Sequence, residues 1–280
     1  PDLVQSSLEA ARSLLDRTGE RLHRYQLVRE LAAGGMGRIF IAFDPELNRR
    51  LAIKILPLGL QGDPSLIQRF KQEVELLARM EHPKIARLFD AGCSEQVYYL
   101  AMELIEGTTL ETLLSSWSPD QVPRLLEIFR DVAEAVAFLH GRGVCHRDLK
   151  PQNIMVSREG WVKLIDFGLA KDEEVSRSLT TAGTLLGTPY YLPPEAFEVK
   201  ITGWKSSYAT DVYALGVILY RILSGRHPYR LSHRLGEVIE ILRNETPPPL
   251  ALPPALPRAR AWEAICLKAM HRNPARRYPD

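Results

Sequence analysis

Between residues 25 and 56 apolar and polar positions follow a short, strand-like period. Three runs stand out, 25–31, 38–43 and 50–56. The first two flank Gly34-Gly35-Met36-Gly37 and the third stops at Pro57. Strand, Gly-rich turn, strand and strand again predict an antiparallel meander. Beyond Pro64 the period lengthens. Leu66, Phe70, Val74, Leu77 and Met80 share one face of a helix over 65–80, which His82-Pro83 ends. Two more strand-like runs, 85–91 and 97–104, complete a small sheet with one main helix. Glu106-Gly107 marks a break, after which the chain turns helical, at 109–114 and 122–140. In the second helix Leu125, Ile128, Phe129, Val132, Val136 and Leu139 form one stripe, and Gly141 is its expected end. Short strands at 153–156 and 162–165 bracket the loop before Asp166. Helices at 211–223, 235–243 and 261–271 follow, and Pro247-Pro248-Pro249 with Pro253-Pro254 keeps the last connection extended. Residues 2–18 carry a further helical pattern (Leu8, Ala11, Leu15, then Leu22), opened by Ser6 and Glu9 as a capping box. It reads either as a helix packed on the main domain or as a regulatory or oligomerising one. Residues 171–187 are polar, Ser/Thr-rich and unpatterned. The whole reads as α+β.

Composition narrows the class. With 280 residues, 45% hydrophobic and 25% charged, there is ample apolar material for a core. A net charge of +2 with dispersed basic residues gives no footprint for nucleic acid or a membrane surface within this segment. Cys93, Cys145 and Cys266 are odd in number and far apart, so no disulfide framework is expected and a reduced, cytoplasmic setting is the simpler reading. The longest apolar run, 212–220, is too short to span a bilayer and ends at Arg221. Pro1 in place of Met predicts a piece of a longer protein, which leaves room for a membrane anchor outside it.

Four stretches carry candidate chemistry. The run His146-Arg147-Asp148-Leu149-Lys150-Pro151-Gln152-Asn153 sets a carboxylate, an ammonium and an amide in one loop. Those are a base for a hydroxyl, a neutraliser of charge and a metal ligand, the components of phosphoryl transfer. Gly34–Gly37 lets backbone N–H groups approach a phosphate chain with no Cβ in the way, and a Gly-rich hairpin turn explains it equally well. Lys54 stands among Ala52, Ile53, Ile55 and Leu56. Burial there asks for an anion, for which Glu73 on the next helix is the natural choice; a Lys snorkelling from an edge strand is the alternative. Asp166-Phe167-Gly168 follows a strand. Asp166 and Asn153 can together offer oxygen ligands to Mg2+, while the tripeptide alone reads as a turn.

Taken in this order and at this spacing, the motifs resemble the eukaryotic-type protein kinase family, most closely its bacterial Ser/Thr branch. The residues that carry the likeness are Leu31-Ala32-Ala33-Gly34-Gly35-Met36-Gly37-Arg38-Ile39-Phe40, Ala52-Ile53-Lys54, Glu73, the 146–153 run, Asp166-Phe167-Gly168, Gly187-Thr188-Pro189 and Pro193-Pro194-Glu195. It runs from about Tyr25 to the end of the chain. The resemblance implies a bilobal fold. An antiparallel-sheet N-lobe with one main helix would occupy 25–104, and a mostly helical C-lobe 105–280, its final helix cut short. A helical extension would occupy 1–24.

The resemblance also implies a Ser/Thr protein kinase with ATP and Mg2+ as cofactors and proteins as substrates. Asp148 would orient the substrate hydroxyl and accept its proton, Lys150 would stabilise the transferred group, and Asn153 and Asp166 would bind Mg2+. Lys54, held by Glu73, would position the ATP phosphates under Ala32, Ala33, Gly34, Gly35, Met36 and Gly37. Met102 would be the gatekeeper, backbone groups of Glu103 and Ile105 would meet the adenine, and Ile39, Ala52 and Met155 would sandwich it. Leu77, Leu88, His146 and Phe167 would stack into the regulatory spine. Asp211 would tie down the catalytic-loop backbone. Thr188 would bridge Asp148 and Lys150, marking Ser/Thr rather than Tyr substrates, and Glu195 would pair with Arg277. Arg147 and Lys171 would receive a phosphate on Thr180, Thr181 or Thr184, placed there by autophosphorylation, in trans within a homodimer.

The chain departs from the pattern at Ala32, where the family has its first loop glycine, and at Pro193, where it has Ala. The first departure predicts a raised KM for ATP rather than lost turnover. Gln152, where basophilic kinases often carry Glu, argues against strong selection of basic substrates. A nucleotide-binding pseudokinase scaffold is the alternative, but Lys54, Asp148, Asn153 and Asp166 are all retained. A small-molecule kinase would normally lack the Gly-Thr-Pro and Pro-Glu segment.

Overall fold

Alternation over residues 25–56 resolves into three antiparallel strands in a computed structural model that describes residues 19–34, 37–56, 64–94, 97–167, 189–198, 206–231, 234–250, 252 and 256–279. The residues fall into two units, Pro1–His82 with Ala86–Glu106, and Pro83–Ile85 with Gly107–Asp280.

In the first unit β1 (Arg21–Leu22), β2 (Tyr25–Gly34), β3 (Gly37–Asp44), β4 (Arg49–Ile55), β5 (Leu88–Ser94) and β6 (Val97–Met102) form one antiparallel sheet in the order β1-β2-β3-β4-β6-β5. Alternate residues share a face. Tyr25 and Leu27, Phe40 and Ala42, and Leu51, Ile53 and Ile55 thus meet Val97, Tyr99 and Ala101 in one buried cluster. Each large side chain so buried contributes about 1.5–3 kcal/mol before the entropy of ordering it. Gly34 pairs with Gly37 where β2 turns into β3. Gly37 has φ +109°, and a Cβ there would lie 1.9 Å from the Ile55 carbonyl oxygen, so no other residue fits. Helix α1 (Pro64–Ala78) packs on β5, with Leu77 and Met80 buried; the side chains of Leu66 and Phe70 lie outside the described residues.

Two boundaries differ from the sequence expectation. Arg21–Leu22, counted there with a helical extension, pair with β2, while residues 1–18 lie outside the described set. Strand β5 starts at Leu88 rather than at residue 85. Ile85 instead bridges Leu164 within the second unit, and Lys84 beside it forms ion pairs with Asp131 at 2.8 Å and Glu134 at 2.5 Å. Local strand propensity does not say which sheet a residue will join.

The second unit holds a three-stranded sheet of β7 (Thr108–Thr109), β8 (Ile154–Val156) and β9 (Val162–Leu164). Its helices are α2 (Leu110–Ser115), α3 (Val122–His140), α4 (Tyr208–Ser224), α5 (Leu235–Asn244) and α6 (Ala259–Ala269). The Thr109 hydroxyl accepts the Thr112 N–H at 3.2 Å and so caps α2. All six stripe residues of α3 are buried. The helix ends at Gly141 in ordinary right-handed geometry; the left-handed turn falls on Gly143, at φ +79°. Helix α4 is buried almost throughout and packs on α3 and α6.

Arg277 closes the unit. Its guanidinium, fully buried, donates to both carboxylate oxygens of Glu195 at 2.6 and 2.8 Å, and to the carbonyls of His271 at 2.7 Å and Ala209 at 2.9 Å. Replacing one partner of such a pair leaves the other charge uncompensated. Arg277→Met should therefore destabilise the chain by roughly 3–5 kcal/mol. Chemical denaturation measures this, and a loss below about 1 kcal/mol would show that the pair is not held as described.

Candidate active site

Helix α4 positions the site through one side chain. Asp211, in its first turn, is buried. Its Oδ2 accepts the His146 N–H at 2.7 Å and lies 2.9 Å from His140 Nε2, and its Oδ1 accepts the Arg147 N–H at 3.0 Å. These bonds hold a backbone that would not choose its own conformation. Arg147 has φ +66°, a left-handed geometry that costs a non-glycine residue roughly 1–2 kcal/mol. The turn so fixed presents Asp148.

Asp148 is buried, and its Oδ2 receives two donors, Lys150 Nζ at 2.8 Å and Asn153 Nδ2 at 2.9 Å. Asn153 Nδ2 also donates to the Asp148 carbonyl at 2.8 Å and the Asp166 carbonyl at 3.4 Å. All three partners are acceptors, so the amide nitrogen must face them and Oδ1 must face away. Asp166 follows β9 with φ +61°, a second strained non-glycine residue, and the Asn153 carbonyl accepts the N–H of Ile165 beside it at 2.9 Å. The Phe167 ring then meets the His146 imidazole at 4.9 Å. Burial pushes the His146 imidazole below its ordinary value, against the opposite pull of Asp211, Asp148 and Asp166. Sequence-predicted Asp148, Lys150, Asn153 and Asp166 thus come together, with His146 and Phe167 packed behind them and Asp211 beneath.

Asn153 Oδ1 and the Asp166 carboxylate are chemically suited to Mg2+, which takes one or two protein oxygens and completes its shell with water and substrate phosphates. Among the described residues no group of three or more His, Cys, Asp or Glu side chains could hold a metal unaided.

The first unit holds most of the residues predicted to meet the nucleotide. Lys54 is buried on β4, with Ile39 of β3 on one side and Leu100 of β6 on the other. β4 is therefore an interior strand, which removes the reading of Lys54 as a lysine snorkelling from an edge. Ala52 pairs with Ile41 and Met102. The Glu103 N–H donates to the Arg87 carbonyl at 2.9 Å, and the Glu103 carboxylate accepts the Arg87 N–H at 3.1 Å. With that N–H committed, the carbonyl is the backbone group of Glu103 that can address a base. Ala32 and Ala33 are exposed on β2, Ile105 is half-buried, and Leu77 and Leu88 lie on α1 and β5. Met155, half-buried, is on β8 of the second unit. Gly35, Met36, Gly168, Lys171, Thr180, Thr181, Thr184 and Thr188 lie outside the described residues, as does the Glu73 side chain and with it the Lys54–Glu73 pair.

Sequence reasoning missed two contributors. His140, seen only as the end of a helix, stacks on Tyr208 at 4.5 Å and reaches Asp211. Arg221, seen only as the stop of an apolar run, is buried in an ion pair with Glu111. Its position as the one charged residue between Val212 and Ser224, a run otherwise almost wholly apolar, was the available signal.

Comparison with known proteins bears on this geometry. The family model described as "Protein kinase domain" matches residues 25–278. The serine/threonine-protein kinase PrkC of Bacillus subtilis is 34% identical over 261 residues, covering 93% of this chain and 39% of that one. The serine/threonine-protein kinase PknA of Mycobacterium tuberculosis is 36% identical over 260 residues, covering 91% of this chain and 58% of that one. The chain therefore spans between about two fifths and three fifths of the length of these curated relatives. The crystal structure of the Mycobacterium tuberculosis PknI kinase domain superposes with a TM-score of 0.68 at 24% identity, covering 94% of each chain, and shares the fold. No helix among the described residues is long and apolar enough to cross a membrane.

Proposed function

Because this chain belongs to the protein kinase family, whose members use ATP and Mg2+, we propose that it transfers the γ-phosphoryl group of ATP to Ser and Thr hydroxyls of proteins. One observation carries the reading: Lys150 and Asn153 converge on a single oxygen of Asp148, at 2.8 and 2.9 Å, over a backbone that Asp211 holds in place. Two donors on Oδ2 fix the plane of the carboxylate, so it can orient an incoming hydroxyl and accept its proton as the oxygen attacks phosphorus. The new bond joins the acceptor oxygen to phosphorus, the bond from phosphorus to the bridging β–γ oxygen breaks, and ADP leaves. Lys150, beside the acceptor, would offset charge on the moving group. Mg2+, held by Asn153 Oδ1 and Asp166, would supply charge neutralisation at the phosphates. In the first unit, Lys54 would hold the α- and β-phosphates, with the loop at 32–37 above them and the Glu103 carbonyl on the adenine.

Thr188 and Glu195 would serve the protein substrate. Both Glu195 oxygens are engaged by Arg277, so its part is to hold the segment rather than to touch the acceptor. Lys150 and Thr188 support Ser/Thr over Tyr acceptors. We further propose that Arg147, fixed next to Asp148, receives with Lys171 a phosphate placed on Thr180, Thr181 or Thr184, in trans between two copies of the chain. A cytoplasmic setting fits these roles.

Transfer from [γ-32P]ATP with Mg2+ to a protein acceptor should be seen with the unsubstituted chain. It should fall by about a hundredfold to ten-thousandfold in Asp148→Asn and Lys54→Met. Equal labelling of all three would contradict the mechanism. Mass spectrometry after incubation with Mg-ATP should find phosphate between residues 171 and 187, at an initial rate per chain that rises with protein concentration; an unmodified segment would exclude the proposed switch.

A further inference from the structure

Arg221 has no part in the roles assigned so far. It sits near the end of α4 with its side chain 9% exposed. Its Nη1 and Nη2 donate to the two Glu111 carboxylate oxygens at 2.7 and 2.9 Å, and Nη1 also donates to the Tyr191 hydroxyl at 2.6 Å. Three separate elements meet here: α4, the short helix α2 that carries Glu111, and the 3-10 turn Pro189–Tyr191.

For stability alone, well-packed apolar residues of similar volume serve as well as a buried ion pair, or better. What the pair adds is direction. A planar, five-donor guanidinium clamped on both sides by a carboxylate has little freedom left, and its remaining donor geometry selects one position for the Tyr191 hydroxyl. The turn is also held at Tyr190. The Tyr190 ring stacks on His227 at 4.0 Å, and the Tyr191 ring meets the same imidazole edge-on at 5.7 Å. Burial first, then the neighbouring Arg221 charge, pushes His227 down to about 4, so at neutral pH its ring meets the turn uncharged, while Arg221 brings a cation balanced by Glu111. Farther along, Arg277 holds Glu195. The segment 189–198 is thus gripped by two buried arginines, and the residue that leads into it is Thr188.

We propose that Arg221 is a positioning residue for the protein substrate: braced by Glu111, it fixes through Tyr191 the turn that continues directly from Thr188. The assignment rests on the reading of the chain as a Ser/Thr protein kinase. The assignment gives Arg221 no contact with nucleotide or reacting atoms, so its loss should act on the protein acceptor and leave ATP handling alone. A merely structural arginine would affect both.

The test is steady-state phosphorylation of myelin basic protein beside ATP hydrolysis without acceptor. The variants are Arg221→Met, Tyr191→Phe, and Glu111→Arg combined with Arg221→Glu. Arg221→Met should raise the KM for myelin basic protein about tenfold or more, the scale of one lost hydrogen bond to a charged group. The KM for ATP and the acceptor-free hydrolysis should stay within about twofold, the error of such mutational comparisons. The reciprocal swap keeps an ion pair and an acceptor for the Tyr191 hydroxyl, and should recover most of the lost affinity. Tyr191→Phe removes a single oxygen, so if Arg221→Met does not fold this variant reads the same contact, with a smaller rise in the same KM. If the acceptor KM is unchanged in Tyr191→Phe and Arg221→Met, or if the ATP parameters fall in parallel with it, the assignment is overturned. If the unsubstituted chain transfers no phosphate at all, the functional reading fails and this assignment falls with it.

Discussion

The carboxylate of Asp211 is the constraint on which the second unit's chemistry depends. It is buried at the start of α4 and accepts two successive backbone N–H groups, those of His146 and Arg147. A buried carboxylate needs such donors, and the 146–148 turn needs such an acceptor, because Arg147 sits in a left-handed conformation that is costly for a non-glycine residue. Each side supplies what the other lacks. The apolar bulk of α4, packed between α3 and α6, keeps Asp211 from moving to water.

The arrangement downstream follows from that fixed turn. Asp148 is held at its carbonyl and its carboxylate by one amide, Asn153, which also reaches the Asp166 carbonyl. The proposed base and the proposed metal ligands therefore share a single hydrogen-bonded unit, and a displacement of one moves the others. Three buried polar centres recur through the unit, Asp211, Arg277 and Arg221, and each ties a loop to a helix or to the chain's end. A stability argument alone would not ask for so many. In the proposed function, which asks for a base, a metal site and a peptide-binding segment in fixed relation, each of them contributes.

Much of this was legible in the sequence, and the failures have physical causes. Period-2 alternation located β2, β3 and β4, and a clean 3.6-residue stripe located α3, because burial on one face imposes those periods. The 146–153 run was legible because so many polar groups in one short loop serve no packing purpose. Strand order was not legible: whether Lys54 lay on an edge or an interior strand depended on β6 joining β4, a pairing about 45 residues distant along the chain. β7 was missed because Thr108–Thr109 is too short to show any alternation. The end of α3 at Gly141 was legible and is where the helix stops, but the left-handed turn falls two residues on, at Gly143; two nearby glycines offer the same freedom, and only packing chooses. Arg221 was passed over because its partners, Glu111 and Tyr191, are 110 and 30 residues away.

The most direct test of Asp211 as the support of Asp148 is a double-substitution cycle on single-turnover phosphoryl transfer from Mg-ATP to a protein acceptor, with Asp148→Asn, Asp211→Asn and the two combined. If Asp211 acts through the loop that presents Asp148, the losses are strongly non-additive, and the combined variant is no slower than Asp148→Asn by more than about twofold. Losses that simply multiply would show the two carboxylates acting independently and would contradict the account.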